Sequence, residues 1–165
     1  MWLLNATNRY FYYISDISIR GRHLYVYDAK KHTKKIINTK EMSATVTDIK
    51  IGNEKIMCIF DSSDCSNNDI YCFNLDGSKR KKIGEGVYSF FYKKHIYWMK
   101  AKGWKQIIGD AGTSYCYYRS DMNGKNKKAL TKWIPVKEYN KIAKTVDDDC
   151  YKTYFKIKKM KKWTK

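Results

Sequence analysis

Apolar side chains along this chain gather in short, dense runs separated by lysine, asparagine, aspartate and glycine. Tyr10-Phe11-Tyr12-Tyr13-Ile14, Lys55-Ile56-Met57-Cys58-Ile59-Phe60 and His95-Ile96-Tyr97-Trp98-Met99 are the densest. Thr45-Val46-Thr47-Asp48-Ile49 and Val87-Tyr88-Ser89-Phe90-Phe91 stand just before the second and third of them. Aromatic and β-branched residues suit the pleated, half-buried surface of a sheet, so these runs predict strands. No long stretch keeps a helical apolar period; Val136 to Val146 comes nearest to one. The single proline, Pro135, leaves the strand-like runs uninterrupted.

A longer period lies over these runs. The segment Ile70-Tyr71-Cys72-Phe73-Asn74-Leu75-Asp76-Gly77-Ser78-Lys79-Arg80-Lys81-Lys82-Ile83 aligns without a gap on Tyr117 to Leu130, at an offset of 47 residues. Leu24 to Ile36 is a more worn copy, one residue shorter. In the two close copies the aromatic run passes through Asp76-Gly77 or Asn123-Gly124, dipeptides that favour tight turns because glycine accepts positive φ. Ala29-Lys30 takes that place in the first copy, where a looser turn is expected. With the run upstream of each hairpin, every repeat offers about four strands, the content of a propeller blade.

The repeats fall at about residues 10–44, 45–86 and 87–131, within a repeat domain of residues 1–145. The expected fold is all-β: a β-propeller-like array of three to four antiparallel four-stranded blades. Two ends remain, Met1 to Arg9 and Thr145 to Met160. In the second, Tyr151-Lys152-Thr153-Tyr154-Phe155-Lys156-Ile157 alternates as a strand does. Residues 146–165 thus read as a terminal strand and a basic tail, and the two ends together offer material for a fourth blade. An array that does not close exposes strand edges, which invite association with a further copy.

The repeat resembles the Tyr-Trp-Thr-Asp blades of low-density-lipoprotein-receptor-type β-propellers. It is similar also to a bacterial family of unknown function with Tyr-Tyr and Leu-Asp-Gly-Ser repeats. Tyr97-Trp98 matches the first half of the blade motif, with Met99-Lys100 in place of Thr-Asp. Leu75-Asp76-Gly77-Ser78 and Met122-Asn123-Gly124-Lys125 match the hairpin. The resemblance covers about residues 10–131. It implies a propeller that binds a protein or glycan without catalysis, and an extracytoplasmic setting if the chain is a fragment or mature form. Met1-Trp2-Leu3-Leu4 lacks the basic start and apolar length of a signal peptide, from which a cytoplasmic setting is expected. No run approaches the length of a transmembrane helix.

Charge adds a second theme. The 165 residues carry 34 basic and 16 acidic side chains, a formal charge of +18, with 43% apolar residues to build a core. Such a chain attracts polyanions in a salt-dependent way. The lysines concentrate after each turn: Lys34 and Lys35, then Lys79, Lys81 and Lys82, then Lys125, Lys127 and Lys128. On rotationally repeated blades they would form a basic ring. Lys156 to Lys165 holds six lysines around Met160 and Trp163. That tail reads either as a frayed terminus or as a polyanion anchor or membrane-surface segment with an interfacial tryptophan. The expected polyanion contacts are Lys81, Lys82, Lys127, Lys128, Lys158, Lys159, Lys161 and Lys162.

Candidate chemistry is sparse. Cys58, Cys65 and Cys72 are spaced by seven, unlike zinc pairs, and with Cys116 and Cys150 read as free thiols. A Cys58–Cys65 disulfide fits only an exported protein. Asp61 to Asp69 is rich in oxygen ligands but lacks the EF-hand spacing, and Asp147-Asp148-Asp149 reads as a solvated acidic run. His23, His32 and His95 are scattered; His23, Asp76 and Asp110 could serve a propeller hydrolase only if the fold brings them together. No nucleophile elbow, phosphate loop or HExxH is present. The expectation is no catalysis, no metal and no cofactor. Ligand contact is expected first from Trp104, on a long insertion of the third repeat; Tyr97 and Trp98 are named after it, since in such repeats they more often pack the blade than touch a ligand. The rival reading is a basic nucleic-acid-binding protein that uses interleaved Tyr and Lys.

Overall fold

A computed structural model describes residues 2–14, 23–37, 46–61, 67–103, 112–143 and 150–165. The chain divides into two compact units, one of Met1–Ser63 with Asp69–Gly84, the other of Asp64–Asn68 with Glu85–Lys165.

In the first unit, β1 (Trp2–Ala6), β2 (Tyr10–Ile14), β3 (Leu24–Asp28) and β4 (Thr33–Ile36) form an antiparallel meander in chain order. A second meander follows from β5 (Val46–Gly52), β6 (Lys55–Phe60), β7 (Asn68–Asn74) and β8 (Lys81–Gly86). Alternation along β2 and β3 sends Tyr12, Ile14, Leu24 and Val26 to one side, where they pack with Ile56, Cys58, Phe60 and Phe73 of the second sheet. Face-to-face burial of two sheets is the standard way to hide an apolar face. Ile56–Phe60 is buried at every position, which is why β6 reads as an unbroken apolar run rather than an alternating one.

Both hairpin copies share one backbone solution. Gly77 N–H donates to the Asn74 carbonyl at 2.9 Å, and Asn74 N–H donates to the Ser78 carbonyl at 2.9 Å. Gly124 N–H donates to Asp121 at 3.1 Å, and Asp121 N–H to Lys125 at 3.0 Å. Gly77 and Gly124 lie at φ +74° and +72°, and two residues on Lys79 and Asn126 both lie at +54°. The connections are longer than the two-residue turns that the Asp-Gly and Asn-Gly pairs suggest, since β7 ends at Asn74 and β8 starts at Lys81. The first residue of each turn organises it by its side chain. Asp121 Oδ1 accepts from the N–H groups of Asn123 and Lys125, both at 2.9 Å, and Asp28 Oδ1 accepts from Lys30 at 3.0 Å and Lys31 at 3.3 Å.

The second unit holds a third meander, β9 (Tyr88–Tyr92), β10 (His95–Lys102), β11 (Ser114–Asp121) and β12 (Lys128–Ala129), with β13 (Ile134–Pro135) paired to the start of β11. Two helices, α1 (Val136–Ile142) and α2 (Cys150–Lys158), share a core with Tyr97, Met99, Tyr115 and Tyr117 of this sheet. The Tyr117 and Tyr139 hydroxyls meet at 3.1 Å, and Tyr117 also donates to the Cys150 carbonyl at 3.2 Å.

The ends correct two expectations. Residues 151–157 are helical, not a strand: Thr153, Tyr154 and Ile157 are buried at helical spacing, and burial on that stripe decides between two periods that overlap in the sequence. The termini therefore build no fourth sheet among the described residues, because β1 completes the first one. Nor is the last segment a frayed tail or an interfacial anchor. Trp163 is buried in the sheet–helix core, Lys132 N–H donates to the Trp163 carbonyl at 2.8 Å, and Thr131 bridges Thr164.

A Cβ on Gly77 would stand 2.9 Å from Ile37 Cγ1 and 3.2 Å from Val26 Cγ1, on a backbone already at positive φ. Gly77→Ala should therefore cost about 2–4 kcal/mol, from left-handed strain and overpacking together. Urea denaturation measures it; a loss below about 1 kcal/mol would show that this turn does not seat against the first sheet.

Candidate functional site

Two of the expected ligand contacts are core residues. Tyr97 is buried, stacked on Phe90 at 5.2 Å with planes 8° apart and met by Tyr154 at 5.3 Å. Trp98 points to the other face of β10, also buried, stacked on Tyr118 at 5.7 Å and 16°. The repeat motif pointed to packing within the blade more than to ligand contact for this pair, and both side chains are buried, on opposite faces of β10. Trp104, Cys65, Asp110 and Asp147 to Asp149 lie outside the described residues, as do residues 62–66 of the acidic loop.

The expected polyanion lysines are all exposed, and their placement is orderly. Lys34 and Lys35 lie on β4, Lys81 and Lys82 on β8, and Lys128 on β12 just after Lys127, so each group marks one end of the strand order of its sheet. Lys82 pairs with Asp69 at 2.8 Å. On and after α2, Lys158 lies 5.9 Å above the Phe155 ring and Lys162 lies 4.6 Å above Trp163, with Lys159 and Lys161 beside them in sequence.

The first sheet presents a face that the sequence reading did not single out. With Tyr12, Ile14, Leu24 and Val26 turned inward, strand alternation turns Phe11, Tyr13, Tyr25 and Tyr27 outward. Register sets Phe11 opposite Tyr27 and Tyr13 opposite Tyr25. The first pair is tilted, 6.5 Å between centroids; the second is stacked, at 5.3 Å and 12°. Lys34 holds its ammonium 5.3 Å above the Tyr25 ring, and the Tyr27 hydroxyl lies 3.1 Å from His32 Nδ1. Phe11 is 37% exposed, with Leu3 at 62% and Ile36 at 47% on the flanking strands. Partial burial, with Tyr25 and Tyr27 nearby, raises the Tyr13 phenol pKa. The signal in the sequence was a strand with aromatics in both phases of its alternation, where a one-sided sheet would carry polar residues on the outside.

A pocket of about 160 Å³ opens elsewhere in this unit, with Asp28, Asp76, Lys31 and Lys35 among its walls. Arg9 closes on Asp28 with a fork of hydrogen bonds, Nε to Oδ1 at 2.8 Å and Nη2 to Oδ2 at 2.6 Å. That guanidinium holds the Asp28 carboxyl down to about 2. Asp76 is also held low, chiefly by its hydrogen bond with Ser78 and then by the charge of Lys35. Burial pushes the thiol of Cys72 up to about 11 and that of Cys58 higher than its ordinary value, so both are protonated at neutral pH. Among the described residues, no three His, Cys, Asp or Glu side chains converge as a metal site, and no helix is long and apolar enough to cross a membrane. Compared with protein-family models and with curated protein sequences, the chain matches none.

Two outcomes test this placement of residues. Between pH 4 and 2 an unfolded chain takes up a proton at residue 28, with an ordinary value of 3.8, while the folded chain does not. The ion pair's contribution is thus fully present above that window and lost as pH falls through it. Asp28→Asn should be less stable than the unsubstituted protein at pH 6, and the gap between their urea midpoints should close towards pH 2; a gap independent of pH would place the charge effect elsewhere. Tyr97→Ala should lose about 3–5 kcal/mol as a large core truncation, whereas a ligand-contact residue at the surface would leave thermal unfolding nearly unchanged.

Proposed function

We propose that this chain is a non-catalytic binding module, a propeller-like array of four-stranded blades that takes its ligand on the aromatic outer face of the first sheet. Three meanders in succession, with one turn design in the two closest copies, support the blade reading. The resemblance to Tyr-Trp-Thr-Asp propellers points the same way, and what it implies is a protein or glycan ligand. The observation that carries the reading is the pair of aromatic rows, Phe11 with Tyr27 and Tyr13 with Tyr25, left facing outward. Full burial of a side chain such as Phe stabilises a fold by about 1.5–3 kcal/mol. Phe11 is exposed and Tyr13, Tyr25 and Tyr27 are half-buried, so the patch forgoes part of this gain, and a contiguous aromatic patch of this kind marks an interaction surface. A non-catalytic role fits the state of the placed charged groups, since Asp28 is engaged by Arg9 and the Cys58 and Cys72 thiols are kept protonated.

The test is backbone-amide NMR of the full chain with a panel of probes: maltoheptaose as a neutral glycan, heparin, a tyrosine-rich peptide and oligothymidylate. At least one should bind saturably and shift residues of β2 and β3. The Phe11→Ser/Tyr27→Ser variant should lose those shifts while its melting temperature stays within a few degrees, as expected for surface changes. Shifts confined to other strands, or none with any probe, would remove the face from the function.

A further inference from the structure

Resting on the binding-module reading, we propose that the outer face of the first sheet is a platform for single-stranded nucleic acid. Phe11, Tyr13, Tyr25 and Tyr27 would stack its bases, and Lys34 would meet its phosphates.

Three observations select this ligand. The rings stand on β2 and β3, the two middle strands of a four-stranded antiparallel sheet, which is the arrangement that lets a β surface stack unpaired bases. Consecutive outward residues on a strand are separated by about 6.8 Å, twice the rise per residue. That exceeds the 3.4 Å between stacked bases in each strand of a duplex, so the platform suits bases splayed apart. Base faces in a duplex are covered by their neighbours; in a single strand they are open. Tyr13 and Tyr25 are already stacked on each other, with planes 12° apart, a ring stack that a base would continue at its end.

Charge makes the same selection. Lys34 lies against the Tyr25 ring, where an ammonium group can reach a phosphate beside a stacked base. None of the outward residues of β1 to β4 is acidic; the only carboxylate of these strands, Asp28, lies on the inward side and is neutralised by Arg9. A neutral glycan would stack on the rings and leave the lysine unused. A second copy of the chain would bring another charge of +18 against the first.

The experiment is fluorescence anisotropy with the full chain and a labelled oligothymidylate of about 15 nucleotides, near the upper site size of known single-strand platforms. The matching duplex and heparin serve as comparisons, over salt from about 50 to about 200 mM. The single strand should remain bound at the highest salt while duplex and heparin are lost. Tyr25→Ala and Tyr27→Ala should each weaken the single strand roughly ten-fold or more and keep the salt slope. Lys34→Gln should reduce that slope by about one phosphate contact. Equal loss of all three polyanions with salt would overturn the proposal, as would full-affinity binding by a Tyr25→Ala protein whose melting curve is intact. If maltoheptaose or the peptide shifts β2 and β3 while oligothymidylate does not, the binding module stands and the nucleic-acid platform falls.

Discussion

The first unit is organised around the approach of one turn to the opposite sheet. After β7 the backbone reverses at Gly77, and it does so within van der Waals reach of Val26 and Ile37. Glycine alone fits here without strain, because the tight space and the positive φ both disfavour a side chain. Beside it, the Tyr12 hydroxyl donates to the Leu75 carbonyl at 2.7 Å. Tyr12 is fully buried, so that bond satisfies a polar group which burial would otherwise leave costly. Burial also holds its phenol well above the ordinary value, so it remains a donor at neutral pH. A dipeptide first noticed as a turn signal is thus also the joint between two sheets.

The two units answer the same problem differently. In the first, the inward face of one sheet is covered by another sheet. In the second, the Tyr97 and Tyr117 face of the sheet is covered by α1 and α2, and the chemistry of the contact changes accordingly. Aliphatic side chains and a small group of rings, Phe60, Tyr71 and Phe73, fill the space between sheets. Between sheet and helices lies a cluster of rings, with Tyr154 placed among Phe90, Tyr97, Tyr117 and Phe155. Large rings fill this contact without leaving voids.

Strands, their grouping in fours and the turn positions were legible because they rest on local signals: aromatic runs, Asp-Gly and Asn-Gly, and a fixed offset. What was not legible depends on long-range burial. Tyr151 to Ile157 satisfies period two and period 3.6 about equally, and only its partners in the core choose the helix. For Tyr97 and Trp98 the motif favoured packing over ligand contact without deciding it, and their burial on opposite faces of β10 decides for packing. The outer face of the first sheet escaped notice for a related reason. It belongs to the most worn copy of the repeat, and a strand such as β2, with aromatics in both phases of its alternation, does not say which half faces solvent. Asp28, Asn74 and Asp121 hold corresponding places in their copies, and their organising role was hidden beside the more conspicuous glycines.

The lysines on β4, β8 and β12 sit at one end of each sheet's strand order, where no further strand pairs among the described residues. A charged side chain there opposes the addition of a foreign strand. This gives part of the basic excess a place in the architecture that is independent of any ligand. It also makes colloidal behaviour an electrolyte property. At physiological ionic strength a charge is felt over about 8 Å, and in molar salt over about 3 Å. Concentrated salt would therefore unmask these rims without unfolding a single strand, and an acidic polymer in near-stoichiometric amount would do the same by neutralising them. In this molecule, keeping itself dispersed and meeting an anion draw on the same side chains, so occupancy by one sets the propensity for the other.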